Sequence, residues 1–169
     1  MDYALSNDDI TKLLKGKVKI LRYQDLKNFK TVDELLQPYN KVFILYESKK
    51  GFGHWTVLHK LNSKNLEMFD SYGLKIDEEL DHIPKAYRKE SNQIRAYLSQ
   101  LLGNSKYTIH YNDHQFQKLQ PGISTCGRWC IARCVNNKCS IDEFYRKIQD
   151  ACQRSGKTAD ELVCELVKI

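Results

Sequence analysis

Three apolar runs near the middle of the chain predict neighbouring strands. Residues 41–47, 54–61 and 65–70 are rich in β-branched and aromatic side chains, and short polar segments separate them. A fourth run, 107–111, alternates in the manner of a half-buried strand, and 18–21 has the composition of a short edge strand. The pattern predicts a sheet whose central strands follow one another closely along the chain.

Helical patterns stand on both sides of these strands. Ser6 precedes a short apolar-periodic run that Gly16 ends, and Thr31 opens another that stops before Pro38. Helical spacing recurs over 91–102. Two capping boxes open the last helices, Ser140 with Glu143 and Thr158 with Glu161. Helices, then consecutive strands, then helices predict the α+β class, with a central, mostly antiparallel sheet flanked by helices.

Composition places the chain among globular proteins. Its 169 residues are 41% hydrophobic and 28% charged, which excludes disordered and low-complexity classes. No apolar stretch approaches the ~20 residues of a membrane helix, and no secretory signal opens the chain, so we expect a soluble intracellular protein. No linker or repeat divides residues 1–169, which we interpret as a single domain.

All six cysteines lie in the last 44 residues. Without an export signal, free thiols are expected rather than disulfides. Cys130 and Cys134 follow Cys126 at intervals of four residues, on one helical face, which favours core packing for both. Neither a Cys-x2-Cys pair nor a histidine at ligand spacing accompanies them, so no zinc site and no other cofactor is predicted.

Three local signals together predict nucleophilic chemistry. His54 lies between Gly and Trp at the start of one strand, Asp70 ends the next, and Cys126 stands where a Gly-containing loop enters a helix. A helix N-terminus stabilises a thiolate, a histidine pairs with it and donates a proton, and a carboxylate orients that histidine. The end of one strand and the start of its hairpin partner lie side by side, so His54 and Asp70 can meet. His114 is a second candidate for the base.

An oxyanion hole requires donors near the nucleophile. The Cys126 N–H at the helix start is one candidate, and the side-chain amide of Gln120, six residues upstream, is the other. Gln115 and Gln117 compete for the same role, and spacing to Cys126 favours Gln120.

These motifs, spread over residues 41–137, resemble the protease clan that contains the adenovirus maturation protease (adenain) and the ubiquitin-like-protein proteases. The resemblance implies the adenain-like or papain-like architecture, with the catalytic cysteine at a helix N-terminus. It implies that Cys126 is the nucleophile, His54 the base, Asp70 its orienting acid and Gln120 the oxyanion-hole side chain. The implied activity is a cysteine endopeptidase that cleaves near glycine in a viral capsid or other structural precursor, in the host cytoplasm or the virion.

Two departures from the adenovirus pattern matter. The acid is Asp70, as in the ubiquitin-like branch, where adenovirus enzymes usually carry Glu. Tyr107 occupies the strand in which adenovirus enzymes carry a cysteine that tethers an activating peptide, so a disulfide-linked activator is not expected. The formal charge of +6 leaves nonspecific DNA contact or activation open. Twenty Lys against seven Arg, with ten Asn, suggest an AT-rich genome such as that of a virophage, a Polinton-like element or a large DNA virus.

Two other functions are compatible with these residues. One is a deconjugating protease that acts on the Gly-Gly tails of ubiquitin-like proteins. The other is a capsid- or nucleic-acid-binding domain whose protease-like residues are idle. In each case we expect a monomer without a membrane partner.

Overall fold

A computed structural model describes all of residues 1–169 as a mixed α+β fold around one five-stranded sheet. The strands stand in the sheet in chain order, β1 to β5. Their bounds are Lys19–Arg22 (β1), Lys41–Lys49 (β2), Phe52–Lys60 (β3), Asn65–Phe69 (β4) and Thr108–Tyr111 (β5). Each predicted strand is present, with its ends moved by at most a few residues.

Seven α-helices flank the sheet. They are Asn7–Leu13 (α1), Val32–Leu36 (α2), Lys85–Glu90 (α3), Tyr97–Gly103 (α4), Cys126–Val135 (α5), Ile141–Ser155 (α6) and Ala159–Leu166 (α7). Two 3-10 helices, Tyr23–Asn28 and Glu78–His82, complete the fold. None of the helices combines the length and the apolar composition that crossing a membrane requires.

Strand direction follows from the length of each connection. The pairs β2–β3 and β3–β4 are joined by short turns and are antiparallel, so two of the four strand pairs, rather than most of them, have the predicted antiparallel direction. The pairs β1–β2 and β4–β5 are joined through helices and are parallel, because a crossover returns the chain to the same end of the sheet. The α+β class and the helix-flanked sheet are confirmed.

Two hydrophobic clusters cover the two faces of the sheet. Alternate residues of β2 belong to different clusters. Phe43 and Leu45 pack in the first cluster, with α1, α5, α6 and α7, whereas Val42 and Ile44 pack in the second, with α2 and α4. Cys130 and Cys134 lie in the first cluster, which confirms their core-packing interpretation. All six cysteines are free thiols.

The helix predicted over 91–102 begins only at Tyr97, so the prediction was wrong in its first half. The reason is Gln93, a fully buried side chain that binds the backbone of β2. Its Oε1 accepts a hydrogen bond from the Glu47 N–H at 3.1 Å and its Nε2 donates to the Glu47 carbonyl at 2.9 Å. Ile94, in the part of this range that is not helical, is 52% exposed.

A buried ion pair fastens α5 to β4. Arg133 donates from Nε and Nη2 to the two carboxylate oxygens of Glu67, at 2.8 and 2.9 Å, and both side chains are at least 98% buried. His59 contacts the same carboxylate at 2.6 Å. The remaining guanidinium nitrogen donates to the carbonyls of Asn136 and Cys139, so the arginine also ends the helix.

Replacing Arg133 with Met is therefore expected to lower the free energy of unfolding by about 3–5 kcal/mol, because the Glu67 carboxylate would stay buried without its main partner. Urea unfolding followed by circular dichroism measures the change. Arg146→Met, at an exposed position of α6, is the control and should cost little. An equally small loss for Arg133→Met would contradict the structural role given to this pair.

Candidate active site

His54 and Asp70 meet because of the hairpin between β3 and β4. Val57 pairs with Phe69, so the register brings the start of β3 beside the residues that follow β4. His54 Nε2 lies 2.8 Å from Asp70 Oδ1, a hydrogen-bond distance. The ring of Tyr72 stacks on the imidazole with centroids 4.5 Å apart, which restricts its rotation.

Cys126 is the first residue of α5, where the backbone N–H groups lack partners within the helix. The Trp55 N–H donates to its Sγ at 3.4 Å, and His54 lines the same cleft as the thiol. Gly127 lets α5 approach β3 closely, because a Cβ there would lie 3.2 Å from the Leu5 side chain and 3.3 Å from the Trp55 ring. The structure therefore brings Cys126 to the same cleft as the His54–Asp70 pair.

Electrostatics favour a thiolate–imidazolium pair. Burial alone raises the pKa of Cys126, but the hydrogen bond and charge of His54 outweigh it, so this pKa is lowered. Burial alone lowers the pKa of His54, but the neighbouring carboxylates outweigh it and raise this pKa well above its usual range. Cys130 has no such partner, and burial raises its pKa. Cys126 is thus distinguished chemically from the cysteine one turn further along the helix.

A second carboxyl group, which the sequence analysis missed, belongs to the same cluster. Glu79, on the 3-10 helix Glu78–His82, places Oε1 3.5 Å from His54 Nε2. Burial is the main reason that the pKa of Glu79 is raised to about 8, and the charge of Asp70 adds to it. The run Asp77-Glu78-Glu79 looks like a solvated turn in sequence; the signal that Glu79 points inward is the apolar Leu80 and Ile83 that follow it.

The ligand atoms of His54, Asp70 and Glu79 lie within 4.8 Å of one another, a spacing that one divalent cation could bridge. The direct 2.8 Å contact between His54 and Asp70 is, however, a proton-sharing distance. A cation in this position would displace that proton. We therefore interpret the cluster as acid–base machinery.

The structure separates the three glutamine candidates. Gln117 is 1% exposed and lines the cleft above Cys126, whereas Gln120 is exposed and lines a neighbouring pocket beside the start of α7. Gln115 is also exposed and lies outside the cleft. The chain turns at Gly122, where the Ile123 N–H donates to the Gln120 carbonyl at 3.2 Å, and this turn carries Gln120 outward. The six-residue spacing between Gln120 and Cys126 therefore does not bring the Gln120 side chain into the cleft.

Gln117 is positioned by the residue that follows Asp70. The Phe116 and Gln117 N–H groups both donate to the Ser71 carbonyl, at 2.8 and 3.0 Å. The Ser71 hydroxyl donates to Gln117 Oε1 at 2.7 Å, which fixes the orientation of the amide. Its Nε2 donates to the Tyr72 hydroxyl and to the Ile123 carbonyl, each at 3.3 Å, at the wall of the cleft.

The cleft has a volume of about 290 Å³. Cys126, His54, Glu79 and Gln117 line it, whereas Asp70 lies just behind His54. Residues 1–5 form part of its rim: Ala4 lines it, and the Ser124 N–H donates to the Met1 carbonyl at 2.8 Å. His114, the second candidate for the base, lies outside it, where His114 Nε2 contacts Asp142 Oδ1 at 2.6 Å and the ring stacks on Tyr145. The structure does not bring His114 to Cys126.

One relative establishes the family. Over 160 residues the chain is 42% identical to protein V9 of Sputnik virophage, an alignment that covers 95% of this chain and 91% of that protein. The chain belongs to the V9 family. A viral relative confirms the expectation of a viral protein at this coarse level. No family model matches the V9-family chain.

Two solved structures are similar to this V9-family protein at 15% sequence identity. The ASFV pS273R protease matches with a TM-score of 0.46 over 85% of this chain and 62% of its own, so the chain spans less than two thirds of that protease. The central domain of the Lpg1148 protein from Legionella pneumophila matches with a TM-score of 0.40 over 97% of both chains.

Proposed function

We propose that this V9-family protein is a cysteine endopeptidase in which Cys126 is the nucleophile, His54 the acid–base residue and Asp70 the residue that orients His54. The observation that carries the proposal is the position of His54, which lines one cleft with Cys126 and lies 2.8 Å from the Asp70 carboxylate. A thiol at a helix N-terminus, an imidazole beside it and a carboxylate behind the imidazole are the components that acyl transfer by a cysteine requires.

The proposed reaction has two steps. The Cys126 thiolate attacks the carbonyl carbon of a peptide bond, and His54 gives its proton to the departing amine, which leaves a thioester on Sγ. Water then attacks the thioester while His54 accepts its proton, which releases the new carboxyl group and restores the thiolate. In both steps the carbonyl oxygen becomes negative, and its proposed donors are the Cys126 N–H at the start of α5 and the side-chain amide of Gln117, which lines the same cleft.

The proposed substrate is a viral capsid or other structural precursor, cleaved next to glycine. The family relationship to a virophage protein supports a viral substrate. The lining of the cleft supports a small residue: Tyr72, Ile123 and Ala4 line it together with Cys126, and a narrow slot between such side chains would accept glycine more readily than a residue with a Cβ.

The proposal is tested first without a substrate. Purified protein is alkylated with iodoacetamide across a pH series, and the modified cysteines are located by mass spectrometry. Cys126 is expected to react at a lower pH than the other five cysteines. In His54→Ala its reaction should move toward pH ~8.5, where a free thiol ionises. Reaction of Cys126 only in that range in the unmodified protein would contradict the thiolate–imidazolium pair.

The substrate class is tested next. The protein is incubated with virophage capsid precursor and, separately, with a ubiquitin-like protein that ends in a Gly-Gly vinyl warhead. Cleavage of the precursor next to glycine supports maturation. Rapid capture of Cys126 by the warhead, with no precursor cleavage, would move the assignment to deconjugation, and no reaction with either would favour a binding domain.

A further inference from the structure

Glu79 is the buried group that the catalytic scheme above leaves unexplained. Glu79 is 6% exposed, and its Oε1 has no hydrogen-bond partner, although Oε1 lies 3.5 Å from His54 Nε2. An unpaired carboxylate at such a position would be costly to bury. The site must therefore either neutralise Glu79 or use its charge.

The position of Glu79 beside Asp70 shows how the charge is handled. Oxygen atoms of the two carboxyl groups lie within 4.8 Å of each other, so two negative charges there would repel and one of the groups is favoured to carry a proton. Asp70 already accepts from His54 Nε2 at 2.8 Å and from the Tyr72 N–H at 2.9 Å, so its carboxylate form is well satisfied. The proton therefore resides on Glu79, which donates it toward Asp70.

We propose that Glu79 is a positioning residue for His54: its carboxyl shares one proton with Asp70 and, once that proton is lost, supplies a second negative charge beside the imidazolium. In the protonated state it holds Asp70 in line with His54. In the ionised state it stabilises the charged imidazole, so that His54 keeps its proton to a higher pH. Direct attack on substrate forms no part of this role.

The surroundings are consistent with this arrangement. The titratable groups near Glu79 come from four elements: His54 of β3, Asp70 behind β4, Cys126 of α5 and His82 of the same 3-10 helix, with Tyr46 and Tyr72 lining the same cleft. No lysine or arginine is among them, so His54 is the cation that an ionised Glu79 would meet. The Glu79 side chain is 8% exposed at the cleft, which gives its proton a path to water.

The decisive experiment follows the protonation of His54 directly. Protein with ¹⁵N-labelled histidine is titrated in the presence of EDTA, and the His54 resonances are assigned by their absence in His54→Ala. Glu79→Gln keeps the size of the side chain and an N–H donor for Asp70 but cannot ionise. We expect His54 in this variant to lose its proton about 1–3 pH units lower than in the unmodified protein. An unchanged or higher titration of His54 would overturn the proposal.

Two comparisons keep this result specific. Glu78→Gln removes a neighbouring carboxylate on the same 3-10 helix and should leave the His54 titration unchanged; an equal shift would mean a general charge effect and would overturn the proposal. Independently of any variant, the ¹³C-labelled carboxyl of Glu79 should titrate near pH 8, as expected from its raised pKa of about 8. Titration in the ordinary range of a glutamate, about 4–5, would overturn it even where Glu79→Gln fails to fold.

The kinetic consequence rests on the proposed function. In a peptide-cleavage assay, the alkaline limb of the kcat/KM profile of Glu79→Gln should lie at a lower pH than that of the unmodified protein. If the unmodified protein cleaves nothing, the endopeptidase proposal fails, while the two NMR titrations still decide the role of Glu79.

Discussion

Replacing Cys126 with Ala should lower kcat/KM for peptide cleavage by about 10⁴-fold or more while the fold is retained. Without the nucleophile, only the oxyanion donors and substrate binding remain, and these account for a small part of the rate enhancement. Ala differs from Cys126 only in lacking Sγ, which accepts a hydrogen bond from the Trp55 N–H, so the change removes one buried atom and adds none. Loss of activity is measured with a glycine-containing precursor peptide, and the fold by circular dichroism.

Cys130→Ala is the matched control, because Cys130 lies one turn along the same helix, is fully buried and belongs to the core. Burial raises the pKa of its thiol, so it is protonated and unreactive at neutral pH. This variant should lose some stability and keep its activity per folded molecule. Proteolysis that survives in Cys126→Ala would rule out the proposed nucleophile, and equal loss in both variants would indicate a structural effect on α5.

The sequence contains enough information to find the His54–Asp70 pair because the geometry of a hairpin is local. Once β3 and β4 are recognised as consecutive antiparallel strands, the start of one and the end of the other must be adjacent. The start of α5 at Cys126 is also a local signal. Packing of Trp129 and Cys130 against the sheet brings α5 to β3. Local sequence patterns do not predict this packing, and only the resemblance to a protease clan indicated it.

Glu79 and Gln117 could not be placed by the same reasoning, because their positions depend on contacts between distant segments. Gln117 is held by Ser71, 46 residues away, and Glu79 reaches His54 across a 3-10 helix that has no periodic signature. The helix predicted at 91–102 fails for the same reason, since the Gln93 side chain binds Glu47 and overrides local helical spacing. Hydrophobic patterns do not predict polar side chains that form hydrogen bonds with the backbone of a distant segment.

Replacing Gln117 with Ala should lower kcat by about 10²–10³-fold with little change in KM, whereas Gln120→Ala should leave kcat nearly unchanged. Removing one donor from an oxyanion hole costs this much because the donor acts on charge that develops only in the transition state. Gln117 lines the cleft with Cys126, and Ser71 fixes its amide; Gln120 is exposed and lines the neighbouring pocket.

The measurement is steady-state cleavage of one precursor peptide by both variants, with iodoacetamide alkylation of Cys126 as a parallel readout. Alkylation does not create an oxyanion, so the alkylation rate of Gln117→Ala should equal that of the unmodified protein even though turnover falls. A fall in both rates would mean that Gln117 supports the structure of the loop instead. Loss of turnover in Gln120→Ala, with Gln117→Ala active, would show that the loop 118–125 rearranges when substrate binds and would restore the assignment that spacing along the chain favours.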